Sequence, residues 1–146
     1  MTSGKAERFD TIVTVREHQK RQTTRELSQI VRQKQAETER LTDLHVEHQE
    51  AVASSYTGPR YRASAVQAQH AFIKRLASDI RQQTTKVEDI EGKEQDKRGE
   101  LIERVKAKNV VETLRDRAKA EVRAEQDKKE QQLLDTLGQR TTEGLE

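Results

Sequence analysis

The sequence has no cysteine and no tryptophan, one proline in 146 residues, and only two phenylalanines and two tyrosines. Without cysteine there is no disulfide framework and no zinc–thiolate site. Apolar residues are 31% of the chain, against the about 45–50% of an ordinary globular domain, so a compact core is not expected. Long apolar runs are missing too. The longest are a few residues, such as Ile12-Val13, where a bilayer span needs roughly 18–20. The opening Met-Thr-Ser-Gly-Lys-Ala-Glu has no apolar stretch of the kind a signal peptide carries, so the expected compartment is the cytosol. Nor is there an excess of one charge: Lys+Arg 28 stands against Asp+Glu 26, a formal net charge of +2. Disordered chains pair low hydrophobicity with high net charge. Nucleic-acid binders cluster Lys and Arg, with aromatics between them. Neither pattern is present.

What is abundant is charge of both signs, 37% of the residues, in a composition rich in Ala, Glu, Lys, Leu, Arg and Gln. That composition belongs to long helices and coiled coils. Strong turn chemistry occurs at one place, Ser54 to Tyr61, where Gly58 can end a helix and Pro59 cannot continue it. The expected fold is all-α: a long two-helix antiparallel coiled-coil hairpin in a single domain, residues 1–146. Helix one runs about 4–56, the turn is 57–61, helix two runs about 62–138, and the tail 139–146 frays. Gly92 and Gly99 lie inside helical sequence without an accompanying Pro or Asn, which reads as local flexibility, not termination.

Before the turn one heptad frame runs unbroken through Phe9, Val13, Arg16, Lys20, Thr23, Leu27, Ile30, Lys34, Glu37, Leu41, Leu44, His48 and Ala51. After it a second runs through Val66, Gln69, Ile73, Leu76, Ile80, Gln83, Val87, Ile90, Glu94, Lys97, Leu101, Arg104, Lys108, Val111, Arg115, Ala118 and Val122. Ile12, Val31, Phe72, Val105 and Leu114 flank the two stripes. Folding at Gly58-Pro59 sets Leu44 near Ile73, Leu41 near Leu76, Ile30 near Val87 and Leu27 near Ile90. The first arm, about 75 Å long, is shorter than the second, about 115 Å, so residues beyond about 112 are expected to project unpaired. Glu121 and Glu125 repel along that projection, and Glu125 and Lys129 attract. Leu133, Leu134 and Leu137 continue its apolar trace, and this end is expected to meet another protein.

Candidate chemistry is sparse. His45, His48 and His70 come together in the fold-back, beside Glu47 and Glu50, but a zinc-type site needs further placed ligands and a second shell. They read as a solvated face, and no metal is expected. No phosphate-binding glycine loop or nucleophile elbow is present, and a two-helix rod offers no dry pocket in which to shift a catalytic pKa. No enzymatic activity and no cofactor are expected. Lys20, Lys34, Glu37 and His48 sit at seam positions from which long side chains reach water. Tyr56 and Tyr61 bracket the turn, where they would cap the hairpin end. Phe72 stands between two roles, packing beside the seam and docking a partner.

Three segments resemble the FliJ family of flagellar export proteins. They are Arg8-Phe9-Asp10 with Ile12-Val13 and Arg16-Glu17; the run Gln69-His70-Ala71-Phe72-Ile73 with Leu76, Ile80 and Gln82; and Leu114-Arg115-Asp116-Arg117 with Glu121 and the stretch Glu125 to Glu130, ending at Asp135. The resemblance covers almost the whole chain. It implies a cytoplasmic, stalk-like component of the flagellar type III export apparatus, held at the inner membrane through that apparatus. Its partners would be a hexameric export ATPase, whose ring the open hairpin end enters and helps assemble, a membrane-embedded export gate, and export chaperones freed of cargo. Carried over by position, the gate contact involves Glu37, Leu41, Leu44 and His48 with Phe72, Leu76, Asp79 and Gln83, of which Phe72 and Leu76 match the family pattern best. The ATPase-ring contact falls at the open end, on Phe9, Arg115, Arg117 and Arg123. Stalk proteins of virulence-type secretion share the shape, and a generic self-associating scaffold would share the heptads. Sedimentation separates scaffold from stalk, because a stalk is an elongated monomer and a scaffold a stable dimer. A third class, nucleic-acid binding through basic heptad faces, predicts strongly salt-dependent binding to any duplex.

Overall fold

The computed structural model describes residues 2–54 and 62–145. They form two helices, α1 (Thr2–Ala53) and α2 (Ala63–Glu143), paired as an antiparallel hairpin. No strand occurs among the described residues. The expected turn, with Tyr56, Gly58, Pro59 and Tyr61, lies outside them. By internal contacts the chain divides into two units, one of residues 1–22 with 101–146 and one of residues 23–100.

Every seam position read from the heptads is buried or half-buried, on both helices. In the unit of residues 23–100 the most enclosed are Ala51, Leu76, Val87 and Ile90, with Thr23, Gln83 and Glu94 among them. In the other unit Ala6 and Ala118 are buried. The flanking Ile12, Val31 and Leu114 remain exposed. Threonines recur along both helices, where β-branching would otherwise cost helix stability. Thr38, Thr42, Thr84 and Thr85 each donate a hydroxyl hydrogen bond to the carbonyl four residues back, which satisfies the hydroxyl within the helix.

The register differs from the expected one. Cross-helix bonds join Ala51 to Gln69, Glu37 to Gln83 and Lys86, Lys34 to Glu94, and Glu26 to Lys97. These pairs place α1 about one turn further along α2 than the alignment that set Leu27 beside Ile90. The apolar alignment would bring Glu26 level with Glu91, whereas the observed one gives Glu26, Lys34 and Glu37 partners of opposite sign.

The projecting end also starts later than residue 112. In the unit of residues 1–22 and 101–146, Asp10 meets Arg115 and Lys119, Ala118 is buried, and Ala6, Glu7, Asp10, Lys119 and Val122 line one groove. Helix α1 begins at Thr2, and within this unit its first turns reach along α2 as far as Val122. From Arg123 onward every described residue is exposed, and α2 continues through Gly138 to Glu143, past the expected end.

Helix α2 also runs through Gly92 and Gly99 without a break. A Cβ built on either would meet nothing within 4 Å. Gly92→Ala and Gly99→Ala are each expected to stabilise the hairpin by about 1 kcal/mol, read as a higher midpoint in thermal melts followed by circular dichroism.

Candidate interaction surfaces

The seam carries a ladder of polar contacts, and these position the side chains that line it. At one enclosed rung Glu94 accepts from Lys34 at 2.9 Å on one carboxylate oxygen. Its other oxygen accepts from Arg98 Nη2 at 2.7 Å and Nε at 3.1 Å. The Arg98 and Lys34 hydrogen bonds hold the Glu94 carboxyl below its usual range, against the opposing effect of burial. One rung along, Lys97 donates to Glu26 at 2.7 Å and to Glu100 at 2.9 Å, and these two bonds raise its pKa.

Nearer the turn, Gln83 donates one amide nitrogen to both the backbone carbonyl and the carboxylate of Glu37, at 2.9 and 2.6 Å. Lys86 closes on the same carboxylate at 2.9 Å. The Gln83 bond, then the Lys86 bond, lower the Glu37 pKa. Gln83 and Lys86 also line an open groove of about 270 Å³, with Arg40, Leu44, Asp79 and Gln82.

The groove contains Leu44, Asp79 and Gln83 from the expected gate contact. Leu41, Leu44 and His48 are half-buried on the seam. Leu76 is 4% exposed and belongs to the core. Phe72 is half-buried, with the Arg75 guanidinium 6.0 Å from its ring centroid. Phe72 is thus partly accessible, and Leu76 is enclosed. The polar groove members Arg40, Gln82 and Lys86 were missed in the sequence, because heptad reading ranks apolar seats and passes over the charged positions beside them.

In the unit that holds both termini, Lys108 pairs with Glu17 and, at 3.4 Å, with Glu112. The Lys108 bond lowers the Glu17 pKa, and the reciprocal bond raises that of Lys108. Glu17, Lys108 and Glu112 line a second open groove, of about 390 Å³, with Val13, His18 and Arg21. Of the expected ring-contact residues, Phe9 is half-buried. Arg115 lies between Asp10 at 3.8 Å and Asp116 at 3.2 Å, and Arg117 and Arg123 are exposed.

Among the described residues no three His, Cys, Asp or Glu side chains gather as a metal-binding cluster. None of the described helices is long and apolar enough to cross a membrane. These features define a helical-hairpin protein whose chemistry lies in paired charges and open grooves. The family model described as flagellar FliJ protein matches residues 5–143. The chain belongs to the FliJ family, and is a structural component of the flagellar export apparatus. No curated protein and no solved structure matches it.

Proposed function

We propose that the protein is the stalk-like partner of the hexameric flagellar export ATPase: it promotes ring assembly and hydrolysis, contacts the export gate, and receives export chaperones freed of cargo. It acts in the cytoplasm, held at the inner membrane through the apparatus. The observation that supports this reading most is the end of the hairpin that holds both termini. There α2 leaves α1 after Val122 and continues as exposed helix, with Phe9, Arg115, Arg117 and Arg123 around the point of departure. Two paired helices form a narrow section that a ring lumen can admit, and interspersed charge favours contacts that slide over those that lock.

The gate contact is assigned to Phe72 with the neighbouring groove at Leu44, Asp79 and Gln83. Leu76 follows Phe72 by one turn of α2, and Leu41 and His48 are half-buried on the seam of α1. Aromatic side chains of this kind dominate interface energetics.

The test adds the purified protein to the cognate export ATPase and follows hexamer formation and ATP hydrolysis. Both are expected to rise. The Arg117→Glu/Arg123→Glu variant is expected to lose most of the stimulation, roughly tenfold or more, while Phe72→Ala keeps it and loses binding to the cytoplasmic domain of the gate. No stimulation by the unaltered protein would refute the stalk reading.

A further inference from the structure

The overhang carries an apolar face that none of the described residues covers. Leu133, Leu134 and Leu137 are 61, 62 and 49% exposed, and every described residue from Arg123 onward is exposed. At 3.6 residues per turn, Gln126, Glu130, Leu133, Leu137 and Arg140 fall on one side of α2. Asp135 falls on the other, where it accepts a hydrogen bond at 3.1 Å from Gln131.

The order of residues in this stripe selects its occupant. An acidic residue precedes the leucine pair by three positions and a basic one follows it by three: Glu130, Leu133, Leu137, Arg140. Set parallel to a second copy, the stripe would place Glu130 on Glu130 and Arg140 on Arg140. Set antiparallel, it places Leu133 on Leu137 twice, between two Glu130–Arg140 pairs. Asp135, at the centre of that pairing, faces away from the contact, so the two copies do not oppose each other there. The stretch is also clear of Ala118 and Val122, which α1 covers.

We propose that the overhang of α2 is a self-association site, at which two copies of this chain pair tail to tail and antiparallel through Leu133, Leu137, Glu130 and Arg140. Two leucine layers make a small interface, so the dimer is transient, with a Kd of roughly 100 µM. At low micromolar concentration the chain is a monomer with its overhang free. Pairing occupies the stretch beside the residues that the stalk reading assigns to the ring. The pairing depends on the stripe alone, whatever the ring contact proves to be.

Sedimentation equilibrium from low micromolar to about 500 µM tests it. The average mass is expected to climb toward twice that of one chain at the upper end. Glu130→Arg alone and Arg140→Glu alone should each weaken pairing about tenfold or more, and the double exchange should restore it. Because the chain has no native cysteine, cross-linking gives the orientation directly. A mixture of Leu133→Cys and Leu137→Cys proteins should form the mixed disulfide in preference to either symmetric one. Circular dichroism of each variant confirms that the helices are retained, and all substitutions lie outside the seam. A monomer at every concentration, failure of the double exchange to restore pairing, or dominance of the symmetric disulfides would each overturn the proposal.

Discussion

Ile90→Asp is expected to abolish cooperative unfolding of the hairpin. Ile90 is 3% exposed, the most enclosed apolar side chain among the described residues, and it lies between Val87 at 8% and Glu94 at 8%. A carboxylate at that position loses the burial of the isoleucine and must also be kept hydrated inside the seam. The combined cost is about 3–5 kcal/mol. Small domains hold only about 5–15 kcal/mol in total, and a two-helix seam sits at the low end because it covers each side chain from one direction. Ile90→Ala removes the packing without adding charge and should cost about 2 kcal/mol, less whatever alanine returns through its helix propensity. Ile102→Asp is the control: it makes the same chemical change at a position 54% exposed, and is expected to stay within about 0.5 kcal/mol. Thermal melts at 222 nm give the ordering. If Ile102→Asp proved as damaging as Ile90→Asp, loss of helix propensity and not loss of the seam would be the cause.

That ordering depends on the heptad frame, which is the part of the fold most legible in the sequence. Apolar residues spaced four and three apart can lie on one side of a helix only, so the frame fixes which side is covered. The frame even assigned Lys34, Glu37, Glu94 and Lys97 to the seam against their polarity, and each lies there. Register was not legible in the same way. Sliding one heptad past another leaves the stripe intact, so the apolar pattern accepts several alignments. The choice among them rests on reach: Lys34 to Glu94, Lys86 to Glu37 and Lys97 to Glu26 all span positions that heptad layers do not pair. At the candidate site, Phe72 could be read because aromatics are so rare here, whereas the enclosure of Leu76 and the groove at Arg40, Gln82 and Lys86 depend on register and could not. The family resemblance was legible from three segments, since it needs residue identity and not alignment of the helices.

Acid is expected to melt the hairpin while the pH range from about 5 to 9 leaves it nearly unchanged. The carboxyls of Glu94, Glu37 and Glu17 are all held below the ordinary glutamate value by hydrogen bonds, chiefly from Arg98, Gln83 and Lys108 respectively. A carboxyl with a lower pKa when folded than when unfolded adds stability that is fully present above the unfolded value, about 4.3 for glutamate. That contribution is lost as the pH falls through the depressed folded value, because the unfolded chain takes up the protons first. The same protonation leaves Lys+Arg 28 without their counterbalance of Asp+Glu 26, so self-repulsion adds to the loss. Lys97 and Lys108 act at the other limit. Their pKa values are raised, chiefly by Glu26 and by Glu17, so their contribution is complete below about 10.4 and fades as the pH rises through the folded values. The expected profile of Tm against pH is therefore a plateau with two falling limbs, the acid limb beginning near pH 4.5. Glu94→Gln keeps the shape of the side chain and removes its titration. At neutral pH it should lower Tm by roughly 5 °C, and its acid limb should be shallower than that of the unaltered protein. The two melting curves should draw together as the pH falls, because protonation removes the charge of Glu94 that Glu94→Gln lacks from the start. A Tm that holds constant from pH 7 to pH 3 would show that the charged rungs of the seam contribute nothing to its stability, and that the register is set by the apolar residues alone.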